Sequence, residues 1–548
     1  ESHDTTAGYY GHASVGCLHI RPGINLKQQS EVNKMFTMMQ EVSDLVLEYG
    51  GCMSGEHGDG LARSWLNEKH FGPVLYQAFK DVKRVFDPDN RMNPGKVVDG
   101  PSPLENFRHG PAFQAVDMKT NLDFSRDGGL LTAIDMCNGN GECRKLTGAT
   151  MCPSYMVTRD EQHSTRGRAN ALRAIISGRL PQEEYTGKGL YDVLDLCLEC
   201  KACKTECPSN VDMAKLKYEF LSHSYARHGT PLRARLFAHI ATVNRLGQML
   251  APLANWLSQS GLGKWAQGLL GIAPQRTLPP FASETFSTWF YRRQRPAQEA
   301  PRGQVVLFHD TFMEYNYPEV GQAATQLLEA AGFEVVLVER KCCGRPAISK
   351  GQIQQGRAYA HYNVSALLPY ARRGISIVGV EPSCILTLRE DYLDLLQGPD
   401  VQLVAQHSLT IDEFLYQLEQ RGELDLEFTE VPKRVLVHGH CHQKALVGTS
   451  PTLAVLRLPK GFTVQEIPSG CCGMAGSFGY EAEHYDVSLQ IGQQRLFPAV
   501  QAAESTVEIV ADGISCRQQI QHATGRQARH LVEVLWDAVV SREKTLTP

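Results

Sequence analysis

The chain lacks several features that would assign it to a common class of protein. It has no run of 18 apolar residues, which argues against a membrane-spanning helix, and it has no secretory signal peptide. Its 55 Lys and Arg residues nearly balance its 59 Asp and Glu residues, so a net charge of −4 gives no reason to expect nucleic acid as a partner. The chain starts at Glu1 without an initiator Met, and we expect it to be the C-terminal part of a longer protein.

Cysteine, in contrast, is abundant, and its spacing is informative. The stretch Cys197-Leu-Glu-Cys200-Lys-Ala-Cys203-Lys-Thr-Glu-Cys207-Pro has the spacing with which a loop holds three thiolates on a 4Fe-4S cluster and directs the fourth at a second cluster. A zinc site would use two C-x2-C pairs separated by a longer loop. Sixteen cysteines, many at ligand spacings, favour a reducing compartment. The pattern predicts an electron-transfer protein of the cytoplasm.

The first half of this motif pair is altered, because Asn140 stands where the middle cysteine is expected. In such motif pairs, the last cysteine of each half binds the cluster of the other half. The chain therefore has one complete set of four sulfurs and one set of three. The missing ligand could be Asn140, water or a distant residue, or the site could hold a three-iron cluster or nothing. The complete set is Cys152, Cys197, Cys200 and Cys203, and the incomplete set is Cys137, Cys143 and Cys207.

From residue 303 onward the sequence repeats itself with a period of about 130 residues, which predicts two pseudo-symmetric α/β units. Each half has a strand, a helix, a Cys-Cys-Gly motif and a later cysteine. Phe312 stands in the first half where the second half has Cys441. The vicinal cysteines indicate a metal site, and reduced cysteines at a domain seam are the alternative. The cysteines are Cys342, Cys343 and Cys384 in the first half and Cys441, Cys471, Cys472 and Cys516 in the second.

Residues 231–272 have apolar side chains at helical spacing, together with Trp256 and Trp265. Packing of this stripe against a neighbouring domain is the favoured interpretation. Contact with a membrane surface is the alternative.

The N-terminal hundred residues contain a second group of candidate ligands. His12 and His19 lie seven residues apart, and Glu56-His57 lies in a glycine-rich turn. Two histidines and a carboxylate are a common ligand set for zinc or another divalent metal with an open position for substrate. Ordinary surface histidines are the alternative.

These segments resemble the C-terminal domain of FAD-linked oxidases of the D-lactate and D-2-hydroxyglutarate dehydrogenase family. The resemblance implies that His12, His19 and Glu56 hold a metal that binds the substrate, and that His57 removes the hydroxyl proton. It places Asn93, Gly95 and Lys96 where the family closes over the flavin. Ser14-Val15-Gly16-Cys17 departs from the family's Gly-Asp-Gly-Asn, and Arg21 replaces an amide and could bind a carboxylate. The family's FAD-binding domain is not in this chain.

The repeats resemble the cysteine-rich CCG domain shared by heterodisulfide reductases and by the iron–sulfur subunits of glycolate and glycerol-3-phosphate dehydrogenases. That resemblance implies that the four cysteines of the second half, and more weakly the three of the first, hold a further cluster or mark the site where electrons leave. The order of segments resembles the fused bacterial flavin and iron–sulfur dehydrogenases that oxidise D-2-hydroxyglutarate.

The expected fold is multidomain α+β, with a helical ferredoxin-like two-cluster domain and two α/β CCG repeats. We expect oxidation of a D-2-hydroxy acid, first of all D-2-hydroxyglutarate, with electrons passing through FAD and [4Fe-4S] clusters to a quinone or protein acceptor. The alternatives are oxidation of D-lactate or glycolate, an electron-transfer subunit like those of heterodisulfide reductases, and a structural zinc assembly.

The expected partners are the FAD-binding portion and further copies of the chain, with attachment to the inner face of the membrane as an option. The predicted segments are the oxidase domain at 1–100, a linker at 101–130, the cluster domain at 131–228, an amphipathic helix and linker at 229–302, and repeats at 303–428 and 429–548.

Overall fold

The computed structural model describes residues 2–294 and 302–540, apart from 106, 108, 109, 112, 114 and 117. The chain forms two compact units that divide between residues 115 and 116. Within the described ranges, no helix has both the length and the apolar character needed to cross a membrane.

The first unit consists of a β-hairpin and two long helices joined by a short one. Its elements are β1 (Ala7–His12), β2 (Cys17–Pro22), α1 (Gln29–Glu48), α2 (Gly60–Arg63) and α3 (Asn67–Phe86). The sequence predicts one strand over 13–20, but the chain turns at Ala13–Val15 because Gly16 adopts a left-handed φ of 64°. Apolar residues at helical spacing predict a helix over about 29–49, and α1 matches this range.

The second unit begins with short helices around the first seven motif cysteines. These helices are α4 (Leu130–Asp135), α5 (Pro153–Thr158), α6 (Thr165–Ile176), α7 (Lys188–Asp195), α8 (Ala202–Glu206) and α9 (Met213–His228). Part of the predicted linker at 101–130 lies against them: the fully buried Glu219 carboxylate accepts hydrogen bonds from the backbone N–H groups of Asn121 (2.7 Å) and Leu122 (2.8 Å).

The region 229–302 is divided into short helices rather than one long one. They are α10 (Leu232–Ala238), α11 (Ile240–Met249), α12 (Ala251–Gln259), α13 (Gly261–Leu269) and α14 (Phe286–Arg292). The break before α12 coincides with Pro252, which lacks a backbone donor, and the Ser260 side chain caps α13. Helix α14 lies in the predicted linker, where Phe286 and Phe290 join the core of the repeats.

The repeats follow with alternating strands and helices. The first contains β3 (Gln304–Leu307), α15 (Thr311–Tyr315), α16 (Pro318–Ala330), β4 (Glu334–Val336), α17 (Arg345–Ser349), α18 (Ile353–Ala371), β5 (Ile377–Gly379), α19 (Pro382–Leu386), α20 (Tyr392–Leu395), α21 (Pro399–His407), β6 (Ser408–Thr410) and α22 (Ile411–Gln420). The second contains β7 (Lys433–Val437), α23 (Cys441–Leu446), α24 (Ser450–Leu456), β8 (Phe462–Glu466), α25 (Tyr485–Gln493), α26 (Leu496–Ala502), β9 (Glu508–Val510), α27 (Ile514–Thr524) and α28 (Leu531–Ala538).

The first three strands of each repeat have the same order in their sheet, which agrees with the predicted pseudo-symmetry, and β6 extends the first sheet by a fourth strand. The parallel strands run β4-β3-β5-β6 in one and β8-β7-β9 in the other, so that the first strand of each repeat lies between the second and the third. In such sheets ligands bind beyond the carboxyl ends of the strands, where the strand order reverses. The repeat cysteines lie beyond these carboxyl ends.

A buried group of charges joins the cluster loop to the first repeat. Lys201, next to Cys200, contacts the Asp391 carboxylate at 2.8 Å, and Arg345 contacts the other oxygen of the same carboxylate at 3.1 Å. All three side chains are buried. The two cations hold the pKa of Asp391 below its usual range, despite the opposing effect of burial. Asp391 is therefore ionised and balances two buried positive charges.

We expect Asp391→Asn to lower the free energy of unfolding by about 3–5 kcal/mol, because it leaves two buried cations without their carboxylate. The measurement is a denaturant titration of the cluster-loaded chain followed by circular dichroism. Asp400→Asn is the matched control, since the ion pair of Asp400 with Arg372 is exposed and its loss should change stability by no more than about 0.5 kcal/mol. Equal stabilities for the two variants would contradict the role assigned to Asp391.

Candidate functional site

The hairpin of the first unit brings the candidate metal ligands together. Tyr10 pairs with His19, and His12 pairs with Cys17. Because alternate residues of a strand point to one side, Tyr10, His12 and His19 share a face of the hairpin. The His19 ring stacks on Tyr10 with 4.5 Å between ring centroids, and this contact restricts its orientation.

Glu56 lies at the centre of the histidines. Its Oε1 atom is 2.9 Å from His19 Nε2, 2.9 Å from His57 Nε2 and 3.5 Å from His12 Nε2. One ligand atom each from His12, His19 and Glu56 falls within 4.8 Å of the others. This donor set of two imidazoles and a carboxylate, open to solvent on the side of His12, fits a divalent metal that also binds substrate.

Arg21 lies on the same face of the hairpin, opposite Gly8 in the strand pairing. Its guanidinium donates to the Tyr10 hydroxyl at 2.7 and 3.2 Å. Arg21 is therefore beside the predicted metal ligands, where a positive charge can bind a carboxylate.

The segment containing Asn93, Gly95 and Lys96 forms a turn in the same unit. Asn93 and Gly95 adopt left-handed φ values of 49° and 71°, and Lys96 Nζ lies 3.5 Å from Asn93 Oδ1. The flavin contact predicted for these three residues remains a prediction.

The cysteines of the complete cluster set converge in the second unit. Cys152, Cys197, Cys200 and Cys203 line one small buried pocket together with Arg168. Arg168 is fully buried and donates to Cys152 Sγ at 3.5 Å. This cation outweighs burial, which alone would raise the pKa of Cys152, and lowers it below its usual value. Four sulfurs with a buried guanidinium among them fit an anionic iron–sulfur cluster.

The cysteines of the incomplete cluster set have different surroundings from one another. Cys143 Sγ accepts a hydrogen bond from the backbone N–H of Arg166 at 3.3 Å. Burial raises the pKa of Cys143, and the neighbouring sulfurs of Cys152 and Cys137 add to the effect. Cys207 is half-buried. Asn140 is exposed, and its side-chain oxygen accepts a hydrogen bond from the N–H of Glu142 at 2.9 Å. A second cluster with these ligands remains a prediction.

The four cysteines of the second repeat are buried and adjoin one another. The neighbouring thiols of Cys441 and Cys472, together with burial, raise the pKa of Cys471 well above its usual value. Hydrogen bonds with Cys471 and Cys516, aided by His438, lower the pKa of Cys472. These sulfurs come from the ends of three strands and fit a metal cluster.

The first repeat has fewer candidate ligands. Cys343 Sγ and Cys384 Sγ lie 3.1 Å apart, and Cys342 adjoins Cys343. The backbone N–H groups of Phe308 and His438 make equivalent hydrogen bonds, each 2.8 Å, to the neighbouring strands. This register places Thr311, the first residue of α15, at the position of Cys441, the first residue of α23. The sequence-based match of Phe312 with Cys441 is therefore wrong by one residue.

The complete cluster set lies directly beside the second repeat. Burial raises the pKa of Cys200 well above its usual value, and Cys441 is the first among the neighbouring sulfurs that contribute. His442 Nε2 lies 2.9 Å from the carbonyl oxygen of Glu199, within the cluster loop. Sequence spacing alone did not indicate His442 or Arg168. The approach of Cys200 to Cys441 puts two candidate redox centres next to each other.

A largely apolar cavity of about 190 Å³ opens beside these sulfurs. Its walls come from both repeats and from the segment between α10 and α14. Arg345 and Lys350 supply positive charge at its lining. The cysteines that line it are Cys384, Cys441, Cys471, Cys472 and Cys516, and the apolar side chains include Phe237, Ile240 and Leu278.

Three parts of the chain match known protein families. Residues 1–97 match the C-terminal domain of FAD linked oxidases, residues 133–211 match the 4Fe-4S dicluster domain, and residues 306–389 match the cysteine-rich domain. The chain therefore combines an FAD-linked oxidase domain with iron–sulfur and cysteine-rich domains, as the resemblance predicted. These domains support FAD and iron–sulfur clusters as cofactors.

Three similar proteins are named as a dehydrogenase or as a subunit of a dehydrogenase or oxidase. D-2-hydroxyglutarate dehydrogenase of Pantoea ananatis (strain AJ13355) is 28% identical over 98% of this chain and 56% of its own length. One subunit of the anaerobic glycerol-3-phosphate dehydrogenase of Escherichia coli (strain K12) is 29% identical over 60% of this chain and 81% of its own length. The glycolate oxidase iron-sulfur subunit of that strain is 24% identical over 71% of this chain and 91% of its own length. The chain thus spans little more than half of the D-2-hydroxyglutarate dehydrogenase.

We expect His12→Ala to weaken binding of Zn²⁺ to the first unit by more than about tenfold, because it removes a proposed direct ligand, and even outer-shell changes cost roughly 10–100-fold. The measurement is calorimetric titration of the chain after its iron–sulfur clusters have been loaded anaerobically. His3→Ala is the control, since His3 pairs with Glu41 at 2.6 Å in the same unit and belongs to no candidate metal site. Equal affinities for the two variants would contradict the proposed ligand set.

Proposed function

We propose that the chain is the substrate-binding and electron-transferring part of an FAD- and iron–sulfur-dependent dehydrogenase of D-2-hydroxy acids, with D-2-hydroxyglutarate as the first candidate substrate. The observation that carries this proposal is the convergence of His12, His19, Glu56 and His57 beside Arg21 in the first unit. The similarity to dehydrogenases of that name over 98% of the chain supports the substrate.

The residues of the first unit suit the chemistry of a hydroxy acid. Arg21 would bind the substrate carboxylate. His57 is largely exposed, and its Nε2 contacts Glu56 at 2.9 Å. We infer that His57 takes the hydroxyl proton as a general base. A divalent metal held by His12, His19 and Glu56 would polarise the hydroxyl oxygen. FAD, bound by a domain outside this chain, would accept the hydride from Cα.

The second unit would carry the electrons away from the flavin one at a time. Cys152, Cys197, Cys200 and Cys203 would hold one cluster, and the four cysteines of the second repeat would hold a centre beside it. The 2.9 Å contact between the Glu199 carbonyl and His442, next to Cys441, supports transfer between these two centres.

We expect Cys200→Ser, in a preparation that includes the FAD-binding portion, to lower the iron content and abolish acceptor reduction while substrate still reduces the flavin. The reason is that the substitution removes a ligand of the cluster and leaves the first unit intact. Stopped-flow spectroscopy with D-2-hydroxyglutarate measures the two half-reactions separately. Cys52→Ser is the control, because Cys52 is exposed and outside the cluster motifs. Loss of flavin reduction together with acceptor reduction would refute the proposed route.

The proposed acceptor is a membrane quinone, and helices α11–α13 are the proposed contact with the bilayer. Large apolar side chains on these helices are exposed to solvent. Trp256 is 67% exposed and Trp265 is 63% exposed, which suits indole rings at a lipid interface. The other exposed apolar side chains are Leu246, Met249, Leu250, Leu253, Leu257, Leu262 and Leu269.

The charge around this surface favours an anionic bilayer over another protein domain. No Asp or Glu occurs between Phe220 and Ser283. The exposed Arg245 and Lys264 lie among the apolar side chains. Basic and apolar groups together are the features with which interfacial helices bind anionic lipid. Ile240, at the start of α11, lines the cavity beside the cysteines, so the same helix would connect the bilayer with the site of acceptor reduction.

We expect Leu253→Glu to weaken binding to vesicles that contain phosphatidylglycerol by roughly 10–100-fold, the loss expected when one buried leucine no longer enters the bilayer. Vesicle sedimentation measures the binding. Val431→Glu is the matched control, since Val431 is 62% exposed, compared with 59% for Leu253, but lies outside α11–α13. No binding to anionic vesicles, or equal binding by both variants, would disprove the bilayer contact.

A further inference from the structure

His438 lies at the metal-binding end of the second repeat but has no assigned role. It directly follows strand β7, and its backbone N–H donates to the carbonyl of Val510 at 2.8 Å. The side chain is only 1% exposed. The imidazole is therefore fixed inside the protein, at the strand end from which the chain continues to Cys441.

One nitrogen of this imidazole has an oxygen partner, and the side chain also interacts with the buried thiol of Cys472. His438 Nδ1 lies 2.7 Å from Ser469 Oγ, and Ser469 Oγ can donate to the carbonyl oxygen of Ile467 at 3.4 Å. This chain of donors and acceptors is satisfied when Nδ1 carries the proton, which leaves the lone pair on Nε2. His438 Nε2 is a buried nitrogen without a hydrogen-bond partner among the described residues. Buried polar atoms are rarely left unpaired, so this nitrogen calls for a ligand.

Two cysteine sulfurs lie close enough to this imidazole to bind the same metal. A ring nitrogen of His438 and the sulfurs of Cys472 and Cys516 all lie within 4.8 Å of one another, close enough to bind a single metal centre. A ligating histidine usually donates its other ring N–H to a neighbouring oxygen, which fixes the tautomer, and Ser469 is in that position.

The first repeat provides an internal comparison. The equivalent backbone hydrogen bonds of the two sheets place Phe308 where the second repeat has His438. The same register places Thr311 opposite Cys441. At these two positions the first repeat therefore has neither an imidazole nor a sulfur. The two differences occur together, which is expected if both residues serve one metal centre.

We propose that His438 Nε2 is a direct ligand of the metal centre in the second repeat, which is then an iron–sulfur cluster bound by both cysteine sulfur and histidine nitrogen. This inference rests on the proposed function, in which that repeat holds a cluster. Replacing thiolate by imidazole raises the reduction potential of an iron–sulfur centre. Such a centre favours transfer of one electron from the neighbouring Cys152, Cys197, Cys200 and Cys203 cluster, which is oxidised by one electron in the same step.

The test uses the unchanged chain, loaded anaerobically with iron and sulfide and then reduced stepwise. The paramagnetic signal that disappears in Cys472→Ser identifies the centre of the second repeat. Pulsed electron paramagnetic resonance of that signal should show the strong coupling of a directly bound ¹⁴N nucleus. In protein labelled with ¹⁵N-histidine, the coupling should change to that of ¹⁵N. This comparison needs no substitution at His438 and does not depend on the folding of a variant.

Two variants complete the test. His438→Cys should keep the iron, lose the nitrogen coupling and shift the midpoint potential of this signal downward. His522→Gln is the control, because His522 is on α27 of the same repeat but outside the group formed by His438, Cys472 and Cys516, and it should keep both coupling and potential.

The outcomes separate this inference from the proposal on which it rests. If Cys472→Ser lowers the iron content and removes a signal that shows no histidine coupling, the repeat holds a cluster and His438 is not its ligand. If Cys472→Ser changes neither iron content nor spectrum, the second repeat holds no cluster, and both statements about this repeat are refuted. Neither result would alter the proposed oxidation of hydroxy acids in the first unit.

Discussion

The arrangement of the second unit depends on burying many thiols, each a potential anion, in one apolar core. Cysteines of the cluster loop and of both repeats belong to the same hydrophobic cluster. Thiolates can be buried there because cations are buried with them, such as Arg168 at Cys152 and Lys217, whose Nζ lies 2.7 Å from the carbonyl oxygen of Cys197. Without bound iron, or without these cations, negative charges at such close range would repel one another in a medium of low polarity. The buried cations therefore indicate that the site is built for an anionic group.

Contacts of the cluster loop with both repeats join segments that lie far apart in the sequence. The cluster loop approaches helix α23 through the contact between the Glu199 carbonyl and His442, next to Cys441. Lys201, in the same loop, reaches Asp391 of the first repeat. Glu199 and Lys201 both adopt left-handed backbone conformations, with φ values of 56° and 59°. The loop is therefore held in a strained form by the partners that bring its sulfurs beside those of the second repeat.

Much of this arrangement could be predicted from local patterns. The C-x2-C-x2-C-x3-C-P run indicated its cluster ligands because all but one of them lie within a few residues of one another. The Cys-Cys-Gly repeats indicated two similar halves, and the first three strands of the two sheets have the same order. What could not be predicted depends on tertiary packing. The burial of Arg168 depends on how α6 lies against the cluster loop. The position of His438 depends on strand register, and the sequence-based match of Phe312 with Cys441 was shifted by one residue from that register. The long helix expected over 231–272 is broken at three points, and Pro252 coincides with one of them.

The unequal repeats can be understood as a supporting half and a half that we propose to bind metal. In the first repeat, the carboxylate of Glu381 occupies a position where a further cysteine ligand could stand. That carboxylate instead accepts a hydrogen bond of 2.9 Å from the backbone N–H of Ile514, the first residue of α27. Helix α27 carries Cys516, and the Val380 carbonyl, next to Glu381, lies 2.9 Å from His530 Nε2. The end of the first sheet thus holds the helix that presents a sulfur in the second. A duplication could have begun with two equal metal sites, after which the first half exchanged its ligands for groups that position the second half. The first repeat has Phe308 and Thr311 where the second has His438 and Cys441, which is consistent with a loss of ligands from the first half.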